Sequence, residues 1–432
     1  MLGHQLIPIL SFSERESYLD TILNRQASFD PRIDEAVIGI LDAVRKHGDD
    51  ALRDFTRQFD RVSLSSVKVS KDAIESASDS IPEHLYAIIQ EAITNIRRFH
   101  ERQLPNSWYM EDGDGVILGQ RVMAIEKAGV YVPGGKAFYP SSLLMNVIPA
   151  QVAGVSEIHL VSPPQENGLP HPLVLGAARQ LGITNIYAVG GAQSIAALAY
   201  GTASIPKVDK IVGPGNVYVA TAKKKVFGTV DIDSIAGPSE IVVLADSTAN
   251  PLYVATDLLS QAEHDERASA ILITTDTALA KQVQQHIQEL VPTLSRAAIL
   301  EQSLSTYSAC IVADSFTQAI DLVNQLAPEH LELIVESPWD VMTHIKHAGA
   351  IFLGPFSTEP VGDYFAGPNH VLPTGGTARY ASALSVDDFI RKQSVIYYTQ
   401  DRLKKTGSKI IDFANAEELS AHALAVSVRL NS

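Results

Sequence analysis

Two doubly wound α/β domains on parallel sheets, flanked by small helical segments at the N- and C-terminal ends, are the fold class that the sequence predicts. Three observations carry that expectation. The chain has 432 residues, 46% apolar and 19% charged, a composition that excludes disorder and, at roughly 150 residues per unit, suggests two to four folding units. From about Gly113 short Val/Ile-rich runs alternate with helical stretches, the signature of βαβ units around a parallel sheet. The alternation runs through two successive sets of strands, divided near Ser239.

Before that region the text is helical. Apolar residues recur at helical spacing over 33–41 and again at Leu85, Ile88, Ile89, Ala92, Ile96 and Phe99, which predicts two amphipathic helices packed on one side. The first strand set is predicted at 129–132, 157–161, 185–189 and 210–212, and the second at 240–245, 270–274, 308–312 and 350–353, with a helix from about Pro251. Gly- and Pro-rich text over 354–376 reads as an irregular loop, and the last forty-odd residues as a small helical tail. The predicted boundaries are an arm over 1–25, a helical segment over 26–110 packed with the second α/β domain, a first α/β domain over 111–238, a second over 239–380, and a C-terminal segment over 381–432.

Charge and cysteine usage exclude several partners. With 34 Lys+Arg against 49 Asp+Glu, a formal net charge of −15, the chain has no electrostatic footprint for nucleic acid or an anionic membrane. Lys223-Lys224-Lys225 is short and reads as a solvated helix face. No apolar run approaches the ~20 residues of a spanning helix, and residues 1–8 lack the basic and apolar regions of a secretory signal. Cys310 is the lone cysteine, so neither an internal disulfide nor a CxxC motif exists. A cytoplasmic protein is expected.

Candidate chemistry gathers in six places. Tyr131-Val132-Pro133-Gly134-Gly135-Lys136 and Gly213-Pro214-Gly215-Asn216 each follow a predicted strand, where glycines let backbone N–H groups approach a phosphate; a tight turn explains either one, and the GxGxxG fingerprint is absent. Asn250-Pro251 suits a helix start, and further along Gln261 and His264, spaced i,i+3, share a face and can converge on one atom. Glu263, Asp265 and Glu266 surround them, so an ion-paired histidine is the plainer alternative. Glu329-His330 stands between a helix and a strand, a setting for acid–base work or for an imidazole stabilised by the helix dipole. The loop 359–370 offers Asp363, which suits a cation or an Asx-turn. Glu417 and His422 lie in the tail; five residues apart on one helix they point about 140° from each other, so they address one atom only if the helix starts between them.

Together these residues resemble the histidinol dehydrogenase family over nearly the whole chain. The most specific stretches are Asp233-Ser234-Ile235-Ala236-Gly237-Pro238-Ser239-Glu240 and its continuation through Asp257-Leu258-Leu259-Ser260-Gln261-Ala262-Glu263-His264-Asp265. Gly190-Gly191-Ala192-Gln193, Ala327-Pro328-Glu329-His330 and Phe365-Ala366-Gly367-Pro368-Asn369-His370 are further family segments. The resemblance implies Rossmann-like but incomplete domains of aldehyde-dehydrogenase-like architecture, the first binding NAD. It implies zinc at Gln261, His264, Asp363 and His422, a homodimer through the C-terminal segment, and His422 supplied by the partner subunit. The implied reaction is the oxidation of L-histidinol through L-histidinal to L-histidine, the last step of histidine biosynthesis. His330 is the implied general base and Glu329 the group that activates water. Ser239, Gln261, His264, His330, Asp363, Glu417 and His422 are implied at the substrate, and Tyr131, Gln193 and Asn216 at NAD.

Three alternatives are open to test. A thiolate-dependent aldehyde dehydrogenase would need Cys310, which an apolar setting makes a buried, inert thiol. A paralogous zinc-dependent dehydrogenase of another small alcohol, such as a sulfonated diol, would share the scaffold. A zinc-binding protein without catalysis is disfavoured by the presence of both Glu329 and His330.

Overall fold

The computed structural model describes residues 5–24, 31–134, 139–235 and 237–430. Gly135 and Lys136 of the first glycine loop, Ala236 of the signature stretch, residues 1–4 of the arm, and 25–30 and 431–432 lie outside them. Two units are distinguished: the first comprises Met1–Gln103 and Glu126–Phe389, the second Leu104–Ile125 and Ile390–Ser432.

Strands in chain order are β1 (Ile9–Ser11), β2 (Trp108–Glu111), β3 (Ile117–Ala124), β4 (Lys127–Tyr131), β5 (Glu157–Ser162), β6 (Asn185–Ala188), β7 (Lys210–Val212) and β8 (Asp231–Ile232). There follow β9 (Glu240–Ala245), β10 (Ser269–Thr274), β11 (Ala309–Val312), β12 (His330–Ile334), β13 (Ala350–Leu353) and β14 (Ile390–Tyr397). The first unit holds two all-parallel sheets, β6-β5-β4-β7-β8 and β1-β11-β10-β9-β12-β13. Counted within each, the main strands run 3-2-1-4-5, the doubly wound order, with a switch point between β4 and β7 and another between β9 and β12. Central strands are buried along their length, as helices on both faces require. Part of the arm is used as well: β1 pairs in parallel with β11, Ile9 beside Cys310.

The N-terminal helices correct one expectation. Helix Pro31–His47 buries Val37, Ile40, Leu41 and Val44 in one core with Tyr187, Ile195 and Val219, which belongs to the sheet of β4 to β8. Residues of 26–110 therefore pack largely on the first α/β sheet. Helix Glu83–His100 reaches both α/β domains: Arg97 donates to Gln151 Oε1 of helix Pro140–Ala153 at 2.7 Å, and Asn95 Nδ2 donates to the Phe365 carbonyl at 3.1 Å. Periodicity reveals that a helix has an apolar face, but the sheet that receives this face is chosen by complementary shape. Lys223 is a second correction. It is buried, and its Nζ contacts Asp233 Oδ1 and donates to the Gly213 carbonyl at 3.0 Å. Lys224 and Lys225 keep to the outside.

In the second unit β14-β3-β2 form an antiparallel sheet, β14 matching β3 from Ile390 opposite Ala124 to Tyr397 opposite Ile117. Helices Gln400–Ala416 and Ser420–Leu430 follow. The predicted tail is thus part strand. Trp108, Tyr109, Met110, Ile396, Tyr397 and Phe413 leave much apolar surface exposed in this unit. Among the described residues, no helix is long and apolar enough to cross a membrane.

Candidate active site

In β12 the two-residue period turns His330, Glu332 and Ile334 to one face and Leu331 and Leu333 to the other. Ile334 shares a core with Val254, Leu258 and Leu259 of helix Pro251–Ala262, whereas Leu331 and Leu333 pack with Leu322 and Val323 of helix Phe316–Leu326. The strand therefore aims its histidine and glutamate toward helix Pro251–Ala262. That helix begins as expected, Asn250 accepting from the Leu252 N–H. It ends at Ala262, so His264 stands just past its last turn, held by its N–H on the Gln261 carbonyl at 3.2 Å.

His330 opens β12 at the amino edge of the sheet, beside Ile241 of β9 and Ala350 of β13. Ala327, in the left-handed region at φ 48°, ends the preceding helix and turns the chain into Glu329. Both catalytic candidates are buried. His330 Nδ1 lies 3.1 Å from the Glu240 carbonyl oxygen; a carbonyl only accepts, so Nδ1 carries the proton and Nε2 is the basic nitrogen of the neutral ring. Nε2 has no hydrogen-bond partner and lies 3.8 Å from Asp363 Oδ1. Glu329 Oε2 accepts from the Glu240 N–H at 2.9 Å. The side chain of Glu240 in turn accepts from the Gly375 N–H at 2.9 Å, tying the loop after Thr374 to the strand start. Ser239, half-buried, precedes β9 and holds the Ser269 N–H on its carbonyl at 3.0 Å.

Asp363 comes from the loop expected to be irregular, which is in fact locally helical: Glu359–Val361 form one short turn and Gly362–Ala366 a π-helical one, a form frequent at functional sites. His264, Glu359 and Asp363 each bring a donor atom to within 4.8 Å of the others. Tetrahedral zinc ligated by nitrogen and oxygen at about 2.0–2.1 Å spaces its ligand atoms roughly 3.4 Å apart, so this set fits a metal ion once its donors draw together around it. Gln261, fully buried, adjoins it through Glu359.

The electrostatics suit a cation. Burial holds His264 below its ordinary value, keeping a lone pair available. Burial works against the charge of Asp363, but His330, His370 and His264 around it hold the carboxyl below its usual range. Burial pushes Glu329 up to about 8 and Glu359 up to about 7. For His330 burial opposes the charge, yet Glu329, Asp363 and Glu359 outweigh it and push the imidazole up to about 10. Glu332, buried against Asp257, is pushed up to about 10.

The expected NAD residues come together at the carboxyl edge of the first sheet. Tyr131 ends β4, Gln193 lies in the first turn of helix Gly191–Tyr200 after β6, and Asn216 caps helix Val217–Val226 after β7. Asn216 Oδ1 accepts from the N–H groups of Tyr218 and Val219, so it has a capping role whatever else it contacts. Gln193 Oε1 is buried without a partner. At Gly213, φ is 115° and a Cβ would sit 2.1 Å from the Tyr131 carbonyl oxygen, so only glycine lets these two loops approach. An unpaired polar atom and a glycine-lined crevice fit a dinucleotide.

Glu417 and His422 belong to the second unit. Helix Gln400–Ala416 stops, Glu418 takes a positive φ of 60°, and a new helix starts at Ser420. A helix start between them is what their common use requires. Sequence reasoning missed Glu359; its i,i+4 spacing from Asp363, after Thr358 and before Pro360, is the signal that was present. Cys310 is fully buried in β11 and burial pushes its thiol up to about 12.

The family model described as histidinol dehydrogenase matches residues 23–430. Histidinol dehydrogenase of Halalkalibacterium halodurans is 56% identical over 395 residues, 91% of this chain and 93% of that one. That of Bacillus subtilis is 54% identical over 91% and 92%. The crystal structure of histidinol dehydrogenase from Elizabethkingia anophelis superposes with a TM-score of 0.94 at 40% identity, covering 99% of each chain.

Proposed function

The chain belongs to the histidinol dehydrogenase family, and from that premise we propose that it oxidises L-histidinol to L-histidine through L-histidinal, with zinc and NAD, in the cytoplasm. The observation that carries this reading is the basic Nε2 of His330, unpartnered and facing the His264, Glu359 and Asp363 donors.

Gln261, His264, Asp363 and His422 would hold zinc, and Tyr131, Gln193 and Asn216 would line the NAD site. When bound, zinc would supply a fixed anchor for the substrate's imidazole and amino nitrogens, and two NAD⁺ bound in succession would each accept one hydride. His330 Nε2 takes the hydroxyl proton in the first oxidation, while the Glu240 carbonyl keeps the Nδ1 proton in place. A cation neutralising Asp363 and Glu359 removes two of the charges that raise His330, favouring the free base that this step needs. Glu329, held by the Glu240 N–H, takes a proton from the water that adds to the aldehyde carbon. His330 then removes a hydroxyl proton of the hydrate in the second oxidation. Ser239 at the start of β9 would contact the substrate.

We further infer a homodimer with shared sites, each completed by Glu417 and His422 of the partner subunit. The exposed apolar surface of the second unit supports an assembly, and the helix break between the two residues supports their joint use. The test is NADH formation from histidinol with and without a chelator. Two NADH per histidinol, lost on chelation and restored by zinc, are expected; no turnover in zinc-loaded protein overturns the assignment. Mixed dimers of His422-deficient and Asp363-deficient subunits should regain activity that neither parent shows.

A further inference from the structure

Helix Asp49–Phe59 delivers a carboxylate to the carboxyl edge of the first parallel sheet, where Tyr131, Gln193 and Asn216 stand. Asp60 ends that helix, its N–H held on the Thr56 carbonyl at 2.9 Å. Arg61, at φ 59°, then turns the chain across the edge, and the segment passes three strands in turn. At β4 the charge of Asp60 adds to burial in pushing the Tyr131 hydroxyl up to about 12, against the Gly191 N–H that this hydroxyl accepts. Past β5, Val62 and Leu64 flank Gly168, on which a Cβ would stand 3.9 and 3.4 Å from them. At β6 the Val67 carbonyl accepts from the Ala188 N–H at 2.8 Å.

For the fold this half-buried carboxylate is only a cost. Its Oδ2 is buried without a hydrogen-bond partner, burial alone pushes the carboxyl up to about 6, and a helix end already carries partial negative charge. A donor that arrives with a ligand accounts for such an acceptor, and the ribose hydroxyls of NAD are donors. In doubly wound folds the acidic residue that takes the adenosine ribose 2′-hydroxyl follows the strand after the glycine loop. Here that strand is β5, and the residue after it is Pro163, against which a Cβ on Gly190 would lie 2.3 Å from Cγ and one on Gly134 3.3 Å from Cδ. The position thus holds a proline packed between two glycines, while Asp60 stands over the same edge, between β4 and the loop after β5. We propose that Asp60 selects the cofactor, its carboxylate accepting from the adenosine ribose 2′-hydroxyl of NAD⁺ and repelling the 2′-phosphate that NADP⁺ carries instead. This rests on the NAD reading above.

Calorimetric titration of the zinc-loaded full chain, without substrate, tests it with three probes: NAD⁺, NADP⁺ and NAD⁺ lacking the adenosine 2′-hydroxyl. The wild type should bind NAD⁺ roughly 10–100-fold more tightly than either of the others, the worth of a hydrogen bond to a charged acceptor. Asp60→Ala should weaken NAD⁺ by a similar factor, hold the 2′-deoxy form as well as NAD⁺, and narrow the gap to NADP⁺. Its Tm should not fall, because the substitution removes an unpaired carboxylate from a helix end. Equal weakening of NAD⁺ and its 2′-deoxy form places Asp60 on another donor and overturns the proposal, as does unchanged NAD⁺ affinity; in both cases the NAD reading stands. A lower Tm with parallel loss of all three probes makes Asp60 structural and overturns it as well. Wild-type protein that binds none of the three overturns the proposal and the NAD reading together.

Discussion

Both parallel sheets of the first unit run 3-2-1-4-5, yet their chemistry gathers at opposite edges. In the sheet of β4 to β8 the candidate cofactor residues follow the carboxyl ends of the strands, beside the starts of helices Gly191–Tyr200 and Val217–Val226. In the other sheet Glu329, His330 and Ser239 stand at the amino ends of β9 and β12, beside the finish of helices Pro251–Ala262 and Phe316–Leu326. Helix starts carry partial positive charge and helix ends partial negative charge. One edge therefore suits a pyrophosphate, the other a cation and a protonated base. Strand order fixes where crevices open, and helix polarity fixes what charge each can host.

The largest test of this contrast is at the amino edge. His330→Asn should suppress both oxidations by about 10²–10⁴-fold, whereas Glu329→Gln should slow chiefly the aldehyde step, as single-turnover NADH formation from histidinol and from histidinal would reveal. Equal loss in both steps contradicts the division of roles. The pH profile sharpens the same point. A base works only after losing its proton, so the acidic limb of kcat/KM should disappear from the residual turnover of His330→Asn; an acidic limb unchanged by that substitution removes His330 from the role.

At the carboxyl edge a smaller effect of another kind is expected. Asp233 Oδ2 accepts from the Gly213 N–H at 2.8 Å while Lys223 grips the Gly213 carbonyl at 3.0 Å, so this buried pair clamps the loop that leads to Asn216. Lys223→Met should raise KM for NAD on the order of tenfold with kcat little changed, alongside a lower Tm from the unpaired aspartate. A fall in kcat with KM untouched would detach the loop from the cofactor.

Smaller still is the effect of Glu332. Its folded pKa of about 10 exceeds the unfolded value of about 4.3. The native state thus holds a proton that the unfolded chain releases, and stability falls as pH rises between those values. Glu332→Gln should flatten the decline of Tm from pH 6 to pH 9; an unchanged slope places the titration elsewhere. Least of all, Cys310→Ala should leave turnover intact, because a buried thiol pushed up to about 12 is no nucleophile at neutral pH. Loss of activity with normal folding would favour a thiohemiacetal route.

Much of this was legible in the sequence, for identifiable reasons. Alternating Val/Ile runs announced both parallel sheets, since strands buried on two faces leave a dense apolar trace. Asn250-Pro251 marked a helix start because capping chemistry is local. Non-local features escaped. The pairing of β14 with β3 joins segments at opposite ends of the first unit's sequence, Lys223 reads like its exposed neighbours until Asp233 is placed beside it, and the sheet that receives helix Pro31–His47 depends on shape. At the site, residue types put forward Glu329, His330 and Asp363 as candidates, but Glu359 acquired meaning only once His264 and Asp363 lay beside it. The edge of the sheet that they occupy was likewise invisible, because one strand read alone does not reveal how its crossover helices run.

The register of β14 on β3 has a consequence for biogenesis. Eight consecutive residues, Ile390–Tyr397, complete a ribbon whose other strands emerge from the ribosome long before them, with the whole of Glu126–Phe389 synthesised in between. Until then β3 presents a bare edge, an invitation to pair with the wrong chain. Nascent chains cut short before Ile390 should accordingly be held by chaperones or aggregate, however well their two parallel sheets have folded.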